Sequence, residues 1–164
     1  MEKEFQGSFT QQEPLSEEAI EAAIKVMRHG RLHRYNVVEN ETSEVALFEQ
    51  DFANKFGAKF CLACASGGYA MTTALRAMGI EFGDKILTNG FTLAPVPGAI
   101  TAAGGEVVFI EVNDDLLIDL NDLERKIISS NSKVLLLSHM RGHICDMDLL
   151  MSLCEKYGVK VVED

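Results

Sequence analysis

The sequence predicts a three-layer α/β fold with a mostly parallel sheet. Short apolar runs alternate with amphipathic stretches that carry helix-capping residues, and this alternation is typical of β-α-β crossovers. The runs are apolar throughout, as expected of strands that helices cover on both faces. The predicted strands are residues 60–65, 85–88, 106–112, 133–138 and 159–163. The predicted helices follow Ser16, Ser43 and the turn at 66–68, and span 92–103, 121–128 and 146–157.

The composition argues against several classes of function. A chain of 164 residues, 47% of them hydrophobic, is long enough for one globular domain with a core. Its formal net charge of −10 argues against a nucleic-acid partner or an anionic membrane surface, because both attract basic patches. No apolar run has the length of a membrane span, and the first residues lack the order of a signal peptide. We therefore expect a cytoplasmic protein without a membrane partner.

The N-terminal region is predicted to contain an arm, a helix and a linker. Residues 1–14 are polar and without period, which is typical of a loose arm. A helix with a serine cap and a terminal glycine follows at 16–30. Residues 31–40 have no clear period. Two interpretations fit them, a solvated connection or an active-site loop that carries Arg34 and Tyr35.

A second capped helix is predicted between Ser43 and Gly57. Its apolar residues recur at helical spacing and form an aromatic stripe, which is most often a core feature. The stripe consists of Val45, Phe48, Phe52 and Phe56.

The turn Ser66-Gly67-Gly68 joins the first predicted strand to a helix. Met71, Leu75 and Met78 then share one helical face. A strand that turns through glycines into a helix directs free backbone N–H groups outward at the helix start, where the helix dipole also favours an anion. The turn therefore predicts a phosphate site, although a tight turn that binds nothing fits the same local pattern.

Neither a metal site nor a redox site is expected. The cysteines are Cys61, Cys64, Cys145 and Cys154. The Cys-x-x-Cys lies within a predicted strand and has no second closely spaced pair, so it fits neither zinc spacing nor a redox motif at a helix start. We interpret the cysteines as small buried hydrophobic residues. The histidines and aspartates between 139 and 148 show no evident convergence on a metal.

The residues with chemical potential fall at one edge of the predicted sheet. Ligands of parallel α/β sheets bind beyond the carboxyl ends of the strands. The residues that follow strands there are Ser66, Gly67, Gly68, Phe91, Thr92, Leu93, His139 and Asp164. A phosphate cradle, an apolar slab and a carboxylate together fit a flat phosphorylated heteroaromatic cation such as pyridoxal 5'-phosphate (PLP). The carboxylate would keep the pyridine nitrogen protonated.

The chain resembles the DegT/StrS family of PLP-dependent nucleotide-sugar aminotransferases over residues 16–164. The order and spacing of several short pieces carry the resemblance. They are residues 65–71, residues 79–86, Gly90-Phe91-Thr92-Leu93, residues 104–112, His139-Met140-Arg141-Gly142-His143, residues 146–148 and Glu163-Asp164. The resemblance implies the large domain of the fold-type-I aminotransferases, here incomplete. Residues 1–42 would form the arm, helix and linker, and residues 43–164 the N-terminal part of the PLP-binding domain.

The resemblance also implies roles for individual residues. Gly67 and Gly68 match the phosphate-binding loop, with Gly68 in place of the family's threonine, so only backbone donors are expected there. Leu93 stands where the family places an aromatic residue on the cofactor ring, and Phe91 is a candidate to compensate. Asp164 matches the carboxylate on the pyridine nitrogen. The family's Schiff-base lysine would lie beyond Asp164, so no catalytic residue and no activity are expected in this chain alone.

The implied reaction is transfer of an amino group from an amino acid donor to a nucleotide-linked keto-sugar by a homodimeric full-length protein. Residues 31–40 would lie near the subunit boundary. Two alternatives stay open. A PLP-dependent sugar dehydratase would carry histidine in place of the lysine, and a non-catalytic binding or regulatory domain would keep only the scaffold. Gly68 and Leu93 favour the last of these, since both depart from the family pattern.

Overall fold

The computed structural model describes residues 7, 8, 10 and 12–164, and part of the predicted arm lies outside them. The chain divides into two compact units, Met1–Ala63 and Cys64–Asp164. Among the described residues, the first unit contains two helices, and the second contains a sheet with four shorter α-helices. Within the described residues, no helix combines the length and the apolarity needed to cross a bilayer.

The two helices of the first unit begin and end where the sequence predicts. Helix α1 spans Glu17–His29 and α2 spans Glu44–Phe56. In each, the hydroxyl of the preceding serine accepts the N–H of the residue three positions on, and a left-handed glycine follows the last turn. The helix boundaries therefore follow from local capping chemistry alone.

The prediction that the aromatic stripe of α2 is core is wrong. Phe48, Phe52 and Phe56 are 55%, 45% and 66% exposed. Successive rings contact one another, with centroids 5.9 and 4.5 Å apart. Helical spacing places the rings on one face, but burial needs a second element packed on that face. Neither α1 nor α2 buries a side chain.

The predicted strand at 60–65 is also wrong. Residues 60–64 have no regular secondary structure, Phe60 is 80% exposed, and the segment takes no place in the sheet. A short apolar run indicates burial but does not specify a conformation. It forms a strand only where a neighbouring strand is available for hydrogen bonding. The boundary between the two units falls within this run.

The sheet of the second unit is parallel throughout and has the order β2-β1-β3-β4. Its strands are β1 Lys85–Asn89, β2 Glu106–Ile110, β3 Val134–Leu137 and β4 Lys160–Glu163. The helices are α3 Gly67–Ala77, α4 Pro95–Ala103, α5 Leu120–Ser130 and α6 Met147–Tyr157. Four of the five predicted strands and the predicted parallel pairing are thus confirmed. Helix α4 begins three residues later than predicted, at the first of two prolines in its opening turn.

Helices cover both faces of this sheet, which gives the predicted three layers. Residues of α3 and α4 form one core cluster with the sheet: Met71, Leu75, Val96, Ala99, Ile100, Ile86, Val134 and Leu136. Residues of α5 and α6 form a second cluster on the other face: Leu123, Ile127, Leu150, Cys154, Leu87, Ile110, Leu135 and Leu137. Neighbouring residues of β1 and β3 alternate between the two clusters because successive side chains of a strand point to opposite faces. The same alternation predicts on which face of the sheet the residue directly after each strand lies.

Candidate cofactor site

The N-terminus of α3 offers two unused backbone donors. The Ser66 hydroxyl accepts the Tyr69 N–H at 3.2 Å and the Ser66 carbonyl accepts the Ala70 N–H at 2.9 Å. Among the described residues, the N–H groups of Gly67 and Gly68 have no acceptor. Such groups at the positive end of a helix dipole bind anions. The predicted phosphate site therefore has its donors in place.

Space at these glycines supports the same interpretation. A Cβ on Gly67 would meet nothing within 4 Å, and one on Gly68 would meet only the Pro95 Cβ at 3.6 Å. Packing against neighbouring atoms therefore does not require glycine at either position. The open space leaves room for a ligand to approach the backbone closely, which glycine permits.

Asp164 lies at the end of β4 on the face of the sheet that α3 covers. Val162 packs with the α3/α4 cluster and Val161 with the opposite one, so alternation places Asp164 with α3 and Glu163 on the other face. The Ser138 hydroxyl donates to Asp164 Oδ2 at 3.3 Å. Glu163 instead contacts His139, with 2.9 Å between Oε2 and Nε2.

The third predicted part, the apolar slab, is only partly formed. Leu93 precedes α4 and is 58% exposed. Phe91 is half-buried and meets His143 edge-on, with ring centroids 6.2 Å apart. Nearby, the hydroxyls of Thr88 and Thr92 are buried and have no hydrogen-bond partner within the described residues. Buried hydroxyls without partners are costly, so they mark a place where a polar ligand would be favoured.

These features fit PLP. The set consists of free N–H groups for a phosphate, a carboxylate for a pyridinium nitrogen and the unpartnered hydroxyls of Thr88 and Thr92. The residues predicted for this role, Gly67, Gly68 and Asp164, all belong to elements on the α3 face. Leu93, the fourth predicted residue, has an exposed side chain that packs little against the rest of the protein.

Sequence reasoning missed Asn89 and Ser138, which are 3% and 6% exposed at the ends of β1 and β3. The available signal was a polar residue that closes an otherwise apolar run. Ser138 reaches the site directly through its bond to Asp164.

Burial affects the thiols of two of the four cysteines. Cys154 is fully buried, and burial raises the pKa of its thiol to about 11, as it also raises the pKa of Cys145. The remaining cysteines, Cys61 and Cys64, are half-buried. In the part of the chain that the structure describes, no three His, Cys, Asp or Glu residues converge as metal ligands would.

Known proteins with a similar sequence include sugar transaminases. A stretch of 122 residues is 36% identical to the dTDP-3-amino-3,6-dideoxy-alpha-D-galactopyranose transaminase of Aneurinibacillus thermoaerophilus, and covers 74% of this chain and 33% of that protein. Over 147 residues the chain is 29% identical to the UDP-2-acetamido-2-deoxy-3-oxo-D-glucuronate aminotransferase of Pseudomonas aeruginosa, covering 88% and 39% of the two. The chain thus spans about a third to two fifths of the length of these relatives.

A solved structure agrees with the sequence comparison. DesV of S. venezuelae, solved in complex with a ketimine intermediate, superposes with a TM-score of 0.76 at 30% identity, over 89% of this chain and 38% of DesV. The parallel sheet and its two helical layers are therefore the fold-type-I aminotransferase fold, present in part. The family model for the DegT/DnrJ/EryC1/StrS aminotransferases matches residues 14–164, and this chain belongs to that family.

Proposed function

We propose that the full-length protein is a PLP-dependent aminotransferase that moves an amino group from an amino acid donor to a nucleotide-linked keto-sugar. Family membership supports the reaction class, and the names of the relatives support the substrate class. One structural observation carries the proposal. The free N–H groups at the start of α3 and the carboxylate after β4 lie at the same edge of the sheet and on the same face.

Each site residue then has one task. The N–H groups of Gly67 and Gly68 hold the phosphate, and Leu93 makes apolar contact with the ring. The Asp164 carboxylate holds a proton on the pyridine nitrogen. When bound there, the protonated ring of PLP supplies an electron sink for the amino-group transfer. Residues 43–164 would form the N-terminal part of the cofactor domain, preceded by the arm, helix and linker of residues 1–42.

The proposal includes a cytoplasmic homodimer with residues 31–40 near its boundary. This segment is held by polar contacts, which suits a surface that a second subunit could use. Arg34 forms an ion pair with Glu49 of α2, and Arg31 pairs with Glu41 at 2.5 Å. The rings of His33 and Tyr35 stack 5.3 Å apart. Light scattering on the full-length protein tests the dimer, and a monomer would contradict it.

Exchange of Asp164 for asparagine in the full-length protein tests the cofactor assignment. Asp164→Asn keeps the shape but loses the charge beside the ring nitrogen, so we expect weaker PLP binding. We expect turnover to fall by about 30- to 1000-fold, which corresponds to about 2–4 kcal/mol. Absorbance titration with PLP and a steady-state assay with an amino acid donor measure the two effects.

Glu163→Gln is the matched control. It makes the same chemical change one residue earlier, on the opposite face, where Glu163 contacts His139 at the exposed edge. We expect less than about a threefold change in turnover, since exposed ion pairs contribute little. Near-normal turnover of Asp164→Asn would overturn the assignment of this residue and, with it, the structural support for PLP.

A further inference from the structure

A buried amide joins the ends of two strands beside the candidate site. Asn89, the last residue of β1, makes three hydrogen bonds with its side chain. Its Nδ2 donates to the carbonyl oxygens of Phe91 at 3.0 Å and Ser138 at 3.1 Å, and its Oδ1 accepts the Ser138 N–H at 2.9 Å. The amide thus bonds both backbone groups of Ser138, as a neighbouring strand would.

This amide replaces a strand at the point where β1 leaves β3. The β1–β3 register ends at Thr88 and Leu136. Two residues later the Gly90 N–H donates to the Ile110 carbonyl of β2 at 2.9 Å. Ser138 is almost fully buried, so its backbone groups need partners inside the protein. Asn89 supplies them and keeps β3 extended beyond the end of its ladder.

Ser138 transmits this constraint to the acidic residue of the site. Its hydroxyl donates to Asp164 Oδ2 at 3.3 Å. The Asp164 backbone is fixed at the same level, because its N–H donates to Leu137 and its carbonyl accepts from His139, both at 2.8 Å. With the main chain fixed on both sides, the Ser138 hydroxyl is the contact that selects the direction of the carboxylate.

We propose that Asn89 and Ser138 are positioning residues that aim the Asp164 carboxylate at the cofactor. The inference rests on the proposed function, since the direction of Asp164 matters for binding only if a cationic ring lies beside it. Neither residue is proposed to contact the cofactor itself. Their effect reaches it only through Asp164.

The test compares three variants of the full-length protein in two measurements that need no turnover. Ser138→Ala removes the hydroxyl without adding atoms to the buried site, and Ser138→Thr restores it. Ser132→Ala is the control, because Ser132 is also buried and lies just before β3, at the other end of that strand from Ser138. Its hydroxyl donates to the carbonyl oxygens of Lys85 and Val134. The probe is PLP labelled with ¹⁵N in its ring. Its dissociation constant is measured by absorbance titration, and its nitrogen resonance at one fixed pH reports the protonated fraction.

We expect Ser138→Ala to weaken PLP binding by about three- to tenfold, the range of one ordinary hydrogen bond. Its ¹⁵N resonance should move toward the unprotonated position, because a less well-aimed carboxylate stabilises the pyridinium less. Ser138→Thr should restore both values in part. Ser132→Ala should lower the stability of the protein but leave the dissociation constant and the ¹⁵N resonance unchanged. If Ser138 had only a structural role, the two alanine variants would behave alike.

Asp164→Asn separates failure of the inference from failure of the proposed function. If Asp164→Asn moves the ¹⁵N resonance and Ser138→Ala does not, the positioning role is wrong and the PLP proposal stands. If Asp164→Asn moves neither quantity, or the full-length protein binds no PLP, both are overturned. Equal effects of Ser138→Ala and Ser132→Ala would also overturn the positioning role.

Discussion

The two units of this chain use the same helix-capping chemistry but differ in burial. Helices α1 and α2 of the first unit have serine caps and terminal glycines, yet none of their residues is buried. Helix α6 of the second unit is capped by Asp146 and ended by Gly158 in the same way, and it buries Leu150 and Cys154 completely. Capping therefore fixes where a helix begins and ends, whereas the sheet decides whether the helix has a core to join.

The largest expected effect comes from emptying that core. Leu135 lies fully buried in the central strand β3. Leu135→Ala should lower the free energy of unfolding of the chain by about 2–5 kcal/mol, because it removes buried methyl groups and leaves a cavity. Phe52→Ala in α2 removes more atoms from a side chain that is 45% exposed, and should cost less than about 1 kcal/mol. Urea unfolding followed by circular dichroism measures both, and equal losses would abolish the distinction between the units.

A crowded glycine sharpens the comparison within the second unit. A Cβ on Gly105 would lie 2.6 Å from Ile86 Cδ1 and 3.1 Å from the Asp84 carbonyl oxygen. Gly105→Ala should therefore destabilise the chain by about 1–3 kcal/mol through overpacking. Gly98→Ala in α4 is the control, since a Cβ there meets nothing within 4 Å and alanine favours a helix. Calorimetry should show a lower melting temperature for the first variant only.

Acid should affect the second unit through Asp122. Burial tends to raise the pKa of this carboxyl, but the Glu111 N–H at 2.8 Å and the Arg125 guanidinium outweigh it and lower the pKa overall. The stabilisation is present above the ordinary pKa of an aspartate and is lost as the pH falls through the lower folded value. We expect Asp122→Asn to remove about 1–3 kcal/mol at neutral pH and to flatten the acid limb of the stability profile.

Glu41 of the first unit is the control for Asp122, because the pKa of its carboxyl is also lowered but the group is exposed. The Val38 N–H and the Arg31 side chain lower the pKa of its carboxyl, which lies at the surface. Glu41→Gln should leave the same acid limb unchanged, because water screens an exposed pair. A flattening as large as that of Asp122→Asn would show that the surface pair contributes to global stability.

The smallest expected effect comes from the caps. Asp146→Ala removes the side chain that accepts the Leu149 N–H at the start of α6, and should lower global stability by about 1 kcal/mol. Ser43→Ala makes the equivalent change at α2. Because α2 buries nothing, its loss should appear as faster amide hydrogen exchange in α2 and not as a shift of the main unfolding transition. A shift of that transition by Ser43→Ala would show that α2 unfolds together with the sheet.

Sequence reasoning succeeded where a feature depends on near neighbours in the chain. The boundaries of α1, α2 and α6 follow from capping residues, and four strands follow from apolar runs between turns. The free N–H groups of Gly67 and Gly68 are also local, because they belong to a turn that opens a helix. Their role in phosphate binding stays a prediction. The predicted roles of Leu93 and Asp164 as cofactor contacts stay predictions until binding is measured.

Sequence reasoning failed where a feature depends on a residue that is distant in the chain. The run at 60–65 and the stripe of Phe48, Phe52 and Phe56 have the apolarity of buried elements, but apolarity does not specify what will cover them. Asn89 and Ser138 are 49 residues apart, and no local pattern indicates that an amide would complete a strand ladder.

By itself the sequence determined the alternation of helices and strands and the parallel sheet, because caps, turns and apolar periodicity act over a few residues. The family was indicated separately, by the resemblance of several short pieces of the sequence. The tertiary structure alone decided the strand order, which of two adjacent carboxylates shares the face of α3, and what holds that carboxylate in place. Glu163 and Asp164 are chemically alike and neighbours in the chain. They differ because successive residues of a strand point to opposite faces, and only packing identifies the face on which α3 lies.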